Sequence, residues 1–136
     1  MDLEPSNNRA SFCSAVNCID GRVQLPVIQY LIRWFQVDFV DIVSDTGPVG
    51  VLAHDPDSER ACSIYRRIDV SRNAHKSRGL AVVAHHDCAG NRRRGEDQIE
   101  DLHASAANLR LRYSGLPILG LWVGSDWTVK RVLGGE

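Results

Sequence analysis

Two short motifs contain most of the residues that could do chemistry in this chain. The first motif is Cys18-x-Asp20-x-Arg22 and the second is His85-x-x-Cys88. Thiolates and a neutral imidazole suit zinc, and a Cys2His set leaves a fourth coordination position open for water. A lone His-x-x-Cys would be weak evidence, but the two motifs together indicate a possible zinc site.

Each motif directly follows a segment that we expect to be a strand. Residues 11–17 form a short, mostly apolar run, and residues 80–84 are apolar on both faces, as in a central strand covered by helices. In open parallel sheets, ligands bind beyond the carboxyl ends of the strands. If these two strands are neighbours, two thiols and one imidazole converge on one point.

The remaining segments alternate between helical and strand patterns. We expect a helix from Pro26, a strand over 37–43, a loop over the Gly-, Pro- and Asp-rich residues 44–57, a helix capped by Asp57 or Ser58, a helix over 96–113, and a hairpin of 118–123 with 127–133. This alternation predicts an α/β fold with a mainly parallel central sheet flanked by helices and a C-terminal hairpin. We expect one domain over 1–136, with 1–10 as a loose N-terminal arm.

Composition excludes several classes of protein. The chain has 136 residues, with 16 Lys and Arg against 17 Asp and Glu, for a net charge of −1. This balance gives no argument for nucleic acid or an anionic membrane as a partner. The apolar runs are too short to span a bilayer, and the acidic start lacks the pattern of a signal peptide. We expect a cytoplasmic protein whose four cysteines stay reduced.

The other cysteines and histidines lack a ligand spacing. Cys13 lies five residues before Cys18, so a regular strand turns it to the opposite face, and Cys62 lies near the apolar stripe of a helix. We interpret both as buried small hydrophobic residues. His86 either passes protons to water or is a solvent-facing loop residue.

Two further groups have ordinary structural interpretations. The arginines at 92–94 could attract anions, but a solvated helix start is the simpler interpretation. The three tryptophans fall in apolar runs and are expected in the core: Trp34, Trp122 and Trp127.

The two motifs together resemble those of the β-class carbonic anhydrases. Gly90 follows the second motif, and residues 80–90, LAVVAHHDCAG, are similar to the strand and HTDCGG segment of that family. The order of strands, motifs, helices and hairpin also matches, over roughly residues 11–133. The family has a parallel-stranded α/β core and a zinc held by two Cys and one His.

The resemblance implies a role for each motif residue. Cys18, His85 and Cys88 would hold one Zn²⁺ per chain, and Asp20 and Arg22 would be the catalytic pair. The implied activity is reversible hydration of carbon dioxide to bicarbonate through a zinc-bound hydroxide. Asp20 would accept the hydrogen bond of the hydroxide, while a forked ion pair with Arg22 would keep Asp20 from ligating the zinc. The resemblance also implies a homodimer or a higher homo-oligomer.

One segment departs from the family pattern. The Arg-Asn-Ala-Gly turn that follows the second strand in the family is Ser44-Asp45-Thr46-Gly47 here, so only the glycine is kept. A divergent relative could hydrolyse carbonyl sulfide or carbon disulfide, or could bind zinc without turnover.

A different reaction class also fits part of the sequence. Cys88 and Arg94 have the Cys-x5-Arg spacing of cysteine phosphatases, in which the thiolate is the nucleophile and the arginine clamps phosphate. Against this, Asp87 rather than His precedes the cysteine and Gly95 rather than Ser or Thr follows the arginine. This alternative also leaves the first motif without a role.

Overall fold

The computed structural model of the chain describes residues 10–136, so the predicted arm over 1–10 lies almost wholly outside the described residues. The strands are β1 (Phe12–Cys18), β2 (Phe39–Asp45), β3 (Leu80–His85), β4 (Ile118–Val123) and β5 (Val129–Leu133). The helices are α1 (Gln24–Phe35), α2 (Pro48–His54), α3 (Glu59–Ala74) and α4 (Gly95–Arg112), and Gly21–Val23 forms a 3-10 turn before α1.

The strands form one five-stranded sheet in the order β2-β1-β3-β4-β5. The first four are parallel and β5 pairs antiparallel to β4, which confirms the predicted mainly parallel sheet and C-terminal hairpin. From β1 the chain continues to β2 on one side and, later, to β3 on the other. The carboxyl ends of β1 and β3 therefore lie at a topological switch point, which is the usual ligand site of such sheets.

Helices cover both faces of the sheet, as the sequence predicts. In β3, Leu80, Val82 and Ala84 pack towards α2, α3 and α4, while Ala81 and Val83 pack towards α1. This alternation follows from the two-residue period of a strand, and it explains why β3 is apolar at every position.

The predicted loop over 44–57 is wrong in its middle part, where the structure has α2. Gly47 precedes this helix in the left-handed conformation, with φ 56°, and Pro48 is its first residue. The fixed φ of proline suits a first turn, so these two residues begin a helix here instead of excluding one. Val49 and Leu52 are buried and hold α2 against the core.

The prediction that all three tryptophans are core residues is also wrong. Trp34 lies at the end of α1 and is 39% exposed, and Trp122 and Trp127 are only partly buried. The Arg131 guanidinium lies 5.0 Å from the centre of the Trp34 ring, so the indole contacts a cation at the surface. Within residues 10–136, no helix combines the length and the apolar character needed to cross a membrane.

Candidate functional site

Cys18, His85 and Cys88 come together at the carboxyl ends of β1 and β3. The candidate ligand atoms of the three side chains all lie within 4.8 Å of one another, and the two Sγ atoms are 3.9 Å apart. All three residues are buried. The structure thus brings together the three residues that the sequence analysis selected as metal ligands.

His85 is oriented by the backbone of the next residue. Its Nδ1 donates a hydrogen bond to the His86 carbonyl at 2.7 Å, so a neutral ring carries its proton on Nδ1 and has a free lone pair on Nε2. Nε2 is buried and has no hydrogen-bond partner among the described residues. A histidine that binds a metal through Nε2 is expected to have this nitrogen buried and without a protein partner, close to the other ligands. Such a histidine usually donates its other ring N–H to a carbonyl or carboxylate.

The thiols of Cys18 and Cys88 have pKa values that are shifted in opposite directions. A hydrogen bond from Cys88 lowers the pKa of Cys18, although burial acts in the opposite direction. His85 and the Gly47 N–H lower the pKa of Cys18 further. The hydrogen bond to Cys18, together with burial, raises the pKa of Cys88. Burial opposes charge on His85, but its contact with Cys18 outweighs this effect and raises the pKa of His85. A divalent cation would displace these shared protons, since thiolates and a neutral imidazole are its ligands.

Two glycines allow the loops around the thiols to approach each other. A Cβ on Gly47 would lie 2.5 Å from the Gly90 carbonyl carbon, and a Cβ on Gly90 would lie 2.5 Å from the Thr46 carbonyl carbon. Gly47 also donates its N–H to Cys18 Sγ at 3.5 Å. The one glycine kept from the family turn therefore contacts a candidate ligand directly.

Asp20 and Arg22 form the forked ion pair that the sequence analysis expects. Arg22 Nη2 is 2.7 Å from Asp20 Oδ2, and Arg22 Nε is 3.0 Å from Asp20 Oδ1. Asp20 Oδ1 also accepts the Arg22 backbone N–H at 2.9 Å, because the two residues begin the 3-10 turn. These contacts lower the pKa of Asp20 to about 2, so it is an anion at neutral pH.

Asp87 extends this ion pair, a role that the sequence analysis did not assign to it. Arg22 Nη1 lies 3.4 Å from Asp87 Oδ2, and Arg22 Nη2 donates to the Asp87 carbonyl at 3.2 Å. Asp87 has φ 57°, a left-handed conformation that Asp adopts more readily than most residues. Its place beside Cys88 in the second motif was the available signal.

The site opens into a cavity of about 540 Å³. Asp20, Arg22 and Cys88 lie on its wall, together with Arg92 and Arg93. The charged wall and the adjoining sulfur atom suit a small polar or anionic molecule.

Arg94 does not support the phosphatase alternative. Its guanidinium is 81% exposed and pairs with Glu96 at 3.1 Å, and it is absent from the wall of the cavity beside Cys88. The pKa of Cys88 is raised, whereas a phosphatase nucleophile needs a lowered pKa.

A second polar cluster, which the sequence analysis missed, lies behind the loop that follows Cys88. Asp101 of α4 is 2% exposed, and its carboxylate contacts His54 Nε2 at 2.8 Å, Arg93 Nε at 3.0 Å and Asn91 Nδ2 at 3.1 Å. Gln98 adds a hydrogen bond to the Asn91 carbonyl at 3.0 Å. The cluster ties the loop to α2 and α4. Asp101 was hard to predict because it is a polar residue on a helix without a motif.

The other candidates from the sequence lie outside the metal cluster. Cys13 is fully buried as predicted, but it packs in the same buried cluster as Cys18. Cys62 is only partly buried. His86 is exposed, with its ring 6.2 Å from that of Trp127.

Solved structures with a similar fold are carbonic anhydrases. The structure of the carbonic anhydrase from Glaciozyma antarctica matches with a TM-score of 0.59 and 13% identity, over 97% of this chain and 85% of that chain. The β-carbonic anhydrase CcaA matches with a TM-score of 0.57 and 14% identity, over 93% and 78%. A tetrameric β-carbonic anhydrase from Sordaria macrospora matches with a TM-score of 0.53 and 12% identity, over 93% and 83%. At these identities the likeness shows the fold.

Sequence comparison identifies the family. No curated protein matches the chain significantly. The family model described as "Putative carbonic anhydrase" matches residues 8–133, which is nearly the whole chain. This range agrees with the region over which the two motifs and the order of elements resemble the family. The chain therefore belongs to this carbonic anhydrase family, as a divergent member with the β-carbonic anhydrase fold.

Proposed function

We propose that the protein binds one zinc ion through Cys18, His85 and Cys88 and catalyses the reversible hydration of carbon dioxide. The observation that carries this proposal is the buried, unpaired Nε2 of His85, which lies within 4.8 Å of two thiols at the switch point of the sheet. Zinc bound there would lower the pKa of water and so supply hydroxide near neutral pH.

Asp20 is the residue that would orient the attacking water. Its Oδ1 accepts two hydrogen bonds from Arg22, whereas Oδ2 accepts one. Oδ2 therefore keeps a free lone pair that can accept a hydrogen bond from water. A water that donates to Oδ2 turns an oxygen lone pair away from the carboxylate and towards carbon dioxide.

Arg22 would hold Asp20 in place by occupying the rest of its carboxylate. The fork fixes the plane of the carboxylate, which is the geometric advantage of a bidentate Arg–carboxylate pair. Arg22 also brings positive charge to the wall of the cavity, where bicarbonate would form and leave. Arg92 on the same wall would favour an anionic product, whereas the charge of Arg93 is already paired with Asp101.

The experiment combines zinc analysis with stopped-flow hydration of carbon dioxide between pH 7 and 9. We expect one zinc per chain and measurable hydration by the wild-type protein. Cys88→Ser should lose most of its zinc and its activity. Asp20→Asn should keep its zinc and lose about 100-fold or more in kcat, because an amide cannot replace a carboxylate acceptor held by Arg22.

The outcomes separate the parts of the proposal. Full zinc in folded Cys88→Ser would contradict the ligand assignment. Zinc without hydration in the wild-type protein would contradict the catalytic assignment and indicate a zinc-binding relative without turnover. Glu59→Gln is the matched control for Asp20→Asn, since Glu59 pairs with Arg66 on the exposed side of α3, and it should retain both zinc and activity.

A further inference from the structure

The face of the Arg22 guanidinium is covered by a residue from the far end of the chain. Trp127, in the turn between β4 and β5, places its indole 4.2 Å from the Arg22 carbon Cζ, measured to the ring centre. Guanidinium groups stack on indole faces through cation–π attraction, which is stronger where water is excluded. The arginine is thus held along its edges by Asp20 and Asp87 and on one face by Trp127.

The backbone holds Trp127 in this position at a conformational cost. Its φ is 62°, a left-handed conformation that bulky side chains rarely adopt. Such conformations persist only where the surrounding structure enforces them, and they concentrate at functional sites.

Hydrogen bonds within the turn supply that enforcement. The Asp126 carboxylate accepts the Thr128 N–H at 3.1 Å and the Thr128 hydroxyl at 2.8 Å, and the Trp127 N–H donates to the Gly124 carbonyl at 2.9 Å. The turn is also tied to the second motif, because His86 donates its N–H to the Val123 carbonyl at 2.8 Å. The hydrogen bonds of the turn therefore fix the main chain at Trp127, from which the indole reaches Arg22.

We propose that Trp127 is a positioning residue that fixes the Arg22–Asp20 pair beside the candidate metal site. The pair needs such support because the Arg22 side chain is 46% exposed, and exposed ion pairs are weakly ordered in water. The Asp87 carboxylate gives little support, since the side chain is 71% exposed and Oδ2 lies 3.4 Å from Arg22 Nη1, and only the Asp87 carbonyl adds a closer contact, at 3.2 Å. The indole removes water from one face of the guanidinium and so favours the forked arrangement.

The proposal depends on the proposed function only where it assigns the Arg22–Asp20 pair a part in the hydration of carbon dioxide. Its structural part concerns Arg22 alone and can be tested with or without zinc. The readout is the solvent exchange of the Arg22 Nε–H in ¹⁵N-edited NMR of the full chain. This proton bonds to Asp20 Oδ1 at 3.0 Å, so its protection reports the forked pair directly. Arg22→Lys identifies the signal by removing it.

Three substitutions at the same position separate the effect of the aromatic face from that of bulk. Trp127→Ala should speed exchange of the Arg22 Nε–H by about tenfold, which lies between the effects expected for an exposed and a desolvated cation–π contact. Trp127→Phe should stay within about threefold of wild type because it restores an aromatic face. Trp127→Leu keeps apolar bulk without a π-face, so exchange should be about fivefold faster or more.

The matched control is Trp34→Ala. It removes the other arginine–indole stack, with Arg131 at 5.0 Å, and should leave exchange at Arg22 unchanged. Wild-type exchange in folded Trp127→Ala would overturn the proposal. If that variant does not fold, wild-type exchange in Trp127→Leu would overturn it equally.

Kinetics of the zinc-loaded protein provide the second readout. Loss of order in the pair should lower kcat in Trp127→Ala, with recovery in Trp127→Phe and no effect in Trp34→Ala. If the wild-type protein binds zinc but shows no hydration, the proposed function fails, while faster NMR exchange in Trp127→Ala still supports the positioning role. If exchange is unchanged, the positioning role fails even when hydration is present.

Discussion

Cys18, His85 and Cys88 differ from the other cysteines and histidines of the described chain in what their side chains contact. His54 and His75 each bond to a carboxylate, at 2.8 and 2.7 Å. The ring of His85 instead has one nitrogen without any partner, beside two sulfur atoms. The three side chains only partly supply hydrogen-bond partners to one another, as expected of residues that bind a metal together.

Reaction with a small thiol reagent tests this difference among the four cysteines. Burial raises the pKa of Cys13 to about 12, so this thiol should stay neutral and unreactive in the folded protein. Cys88 lines the cavity and Cys18 Sγ lies 3.9 Å from Cys88 Sγ, so both thiols should react after a chelator removes zinc, but be protected in the zinc-loaded protein. Cys62, partly exposed on α3, should react in both forms and serves as the internal control.

Mass spectrometry of the digested protein gives the extent of modification at each position. Equal modification of Cys18 and Cys88 with and without zinc would contradict their assignment as ligands. Modification of Cys13 at the rate of Cys62 would instead show that the buried cluster opens readily.

The three candidate ligands could be selected from the sequence because chemistry and strand geometry coincide at the ends of β1 and β3. A residue that directly follows an apolar strand is placed at a known edge of the sheet, whatever the rest of the chain does. Trp127 had no such signal, and Asp87 had only its place beside Cys88 in the second motif. The contacts of both with Arg22 depend on left-handed turn conformations, and a local sequence does not specify these for Trp or Asp.

At the scale of elements, the site depends on a close approach of two loops. The turn between β2 and α2 meets the loop after Cys88 at Gly47 and Gly90, where no side chain fits between the backbones. The sequence predicted the strands but not α2. Gly and Pro usually indicate a loop, and the sequence alone did not show that Gly47 and Pro48 stand at the start of a helix. Only the tertiary contact with Gly90 shows why Gly47 is needed.

Gly90→Ala should therefore damage both stability and the site. The new Cβ would lie 2.5 Å from the Thr46 carbonyl carbon, which forces the loops apart. We expect a loss of about 1–3 kcal/mol in the free energy of unfolding, as for overpacked sites, and weaker zinc binding. Urea unfolding and competition with a chromophoric chelator measure the two effects.

Gly115→Ala is the matched control for this prediction. Gly115 has φ 87° but no atom within 4 Å of a new Cβ, so the substitution causes backbone strain without crowding. It should cost about 1–2 kcal/mol and leave zinc affinity unchanged. Unchanged zinc affinity in folded Gly90→Ala would show that the close approach does not set the metal site.

The buried carboxylate of Asp101 also connects α2 and α4 to the loop after Cys88, near the site. Asp101→Ala leaves the buried Asn91 amide unpaired, whereas His54 and Arg93 are partly exposed and can turn to water. We expect a cost of about 1–3 kcal/mol in the free energy of unfolding and a looser loop after Cys88. Hydrogen exchange of the amides over 89–94 should rise.

Glu59→Ala provides the comparison for the loss of Asp101. It removes a carboxylate that pairs with Arg66 at 3.0 Å on the surface, so it should change stability by less than about 1 kcal/mol. Equal effects of the two substitutions would mean that the Asp101 cluster contributes no more than an ordinary surface pair.

At the scale of the whole molecule, several large apolar side chains face solvent near the site and at the sheet edge. Ile19 and Leu25 flank the first motif and are 60% and 61% exposed, and Phe39 on the edge strand β2 is 54% exposed. Ile19 and Leu25 leave apolar surface exposed beside the candidate site, which is typical of an interaction surface, whereas Phe39 lies at the opposite end of the parallel strands, in register with Phe12. This exposed apolar surface beside the first motif favours the homo-oligomer that the sequence resemblance implies.

Light scattering coupled to size exclusion tests this proposal. We expect a mass at least twice the 15.1 kDa of one chain. Ile19→Glu should lower the mass, because a charge in an apolar interface is costly, while Leu111→Glu, at a more exposed position on α4, should not. A 15.1 kDa species with full hydration activity would contradict the oligomer.

The central claim is that zinc at Cys18, His85 and Cys88 enables hydration of carbon dioxide. The most direct measurement is stopped-flow hydration by one preparation in three states: as zinc-loaded protein, after removal of zinc by a chelator, and after zinc is restored. We predict that activity disappears with the metal and returns in proportion to zinc, up to one ion per chain. Hydration that persists in the zinc-free protein, or remains absent at full zinc occupancy, would contradict the account.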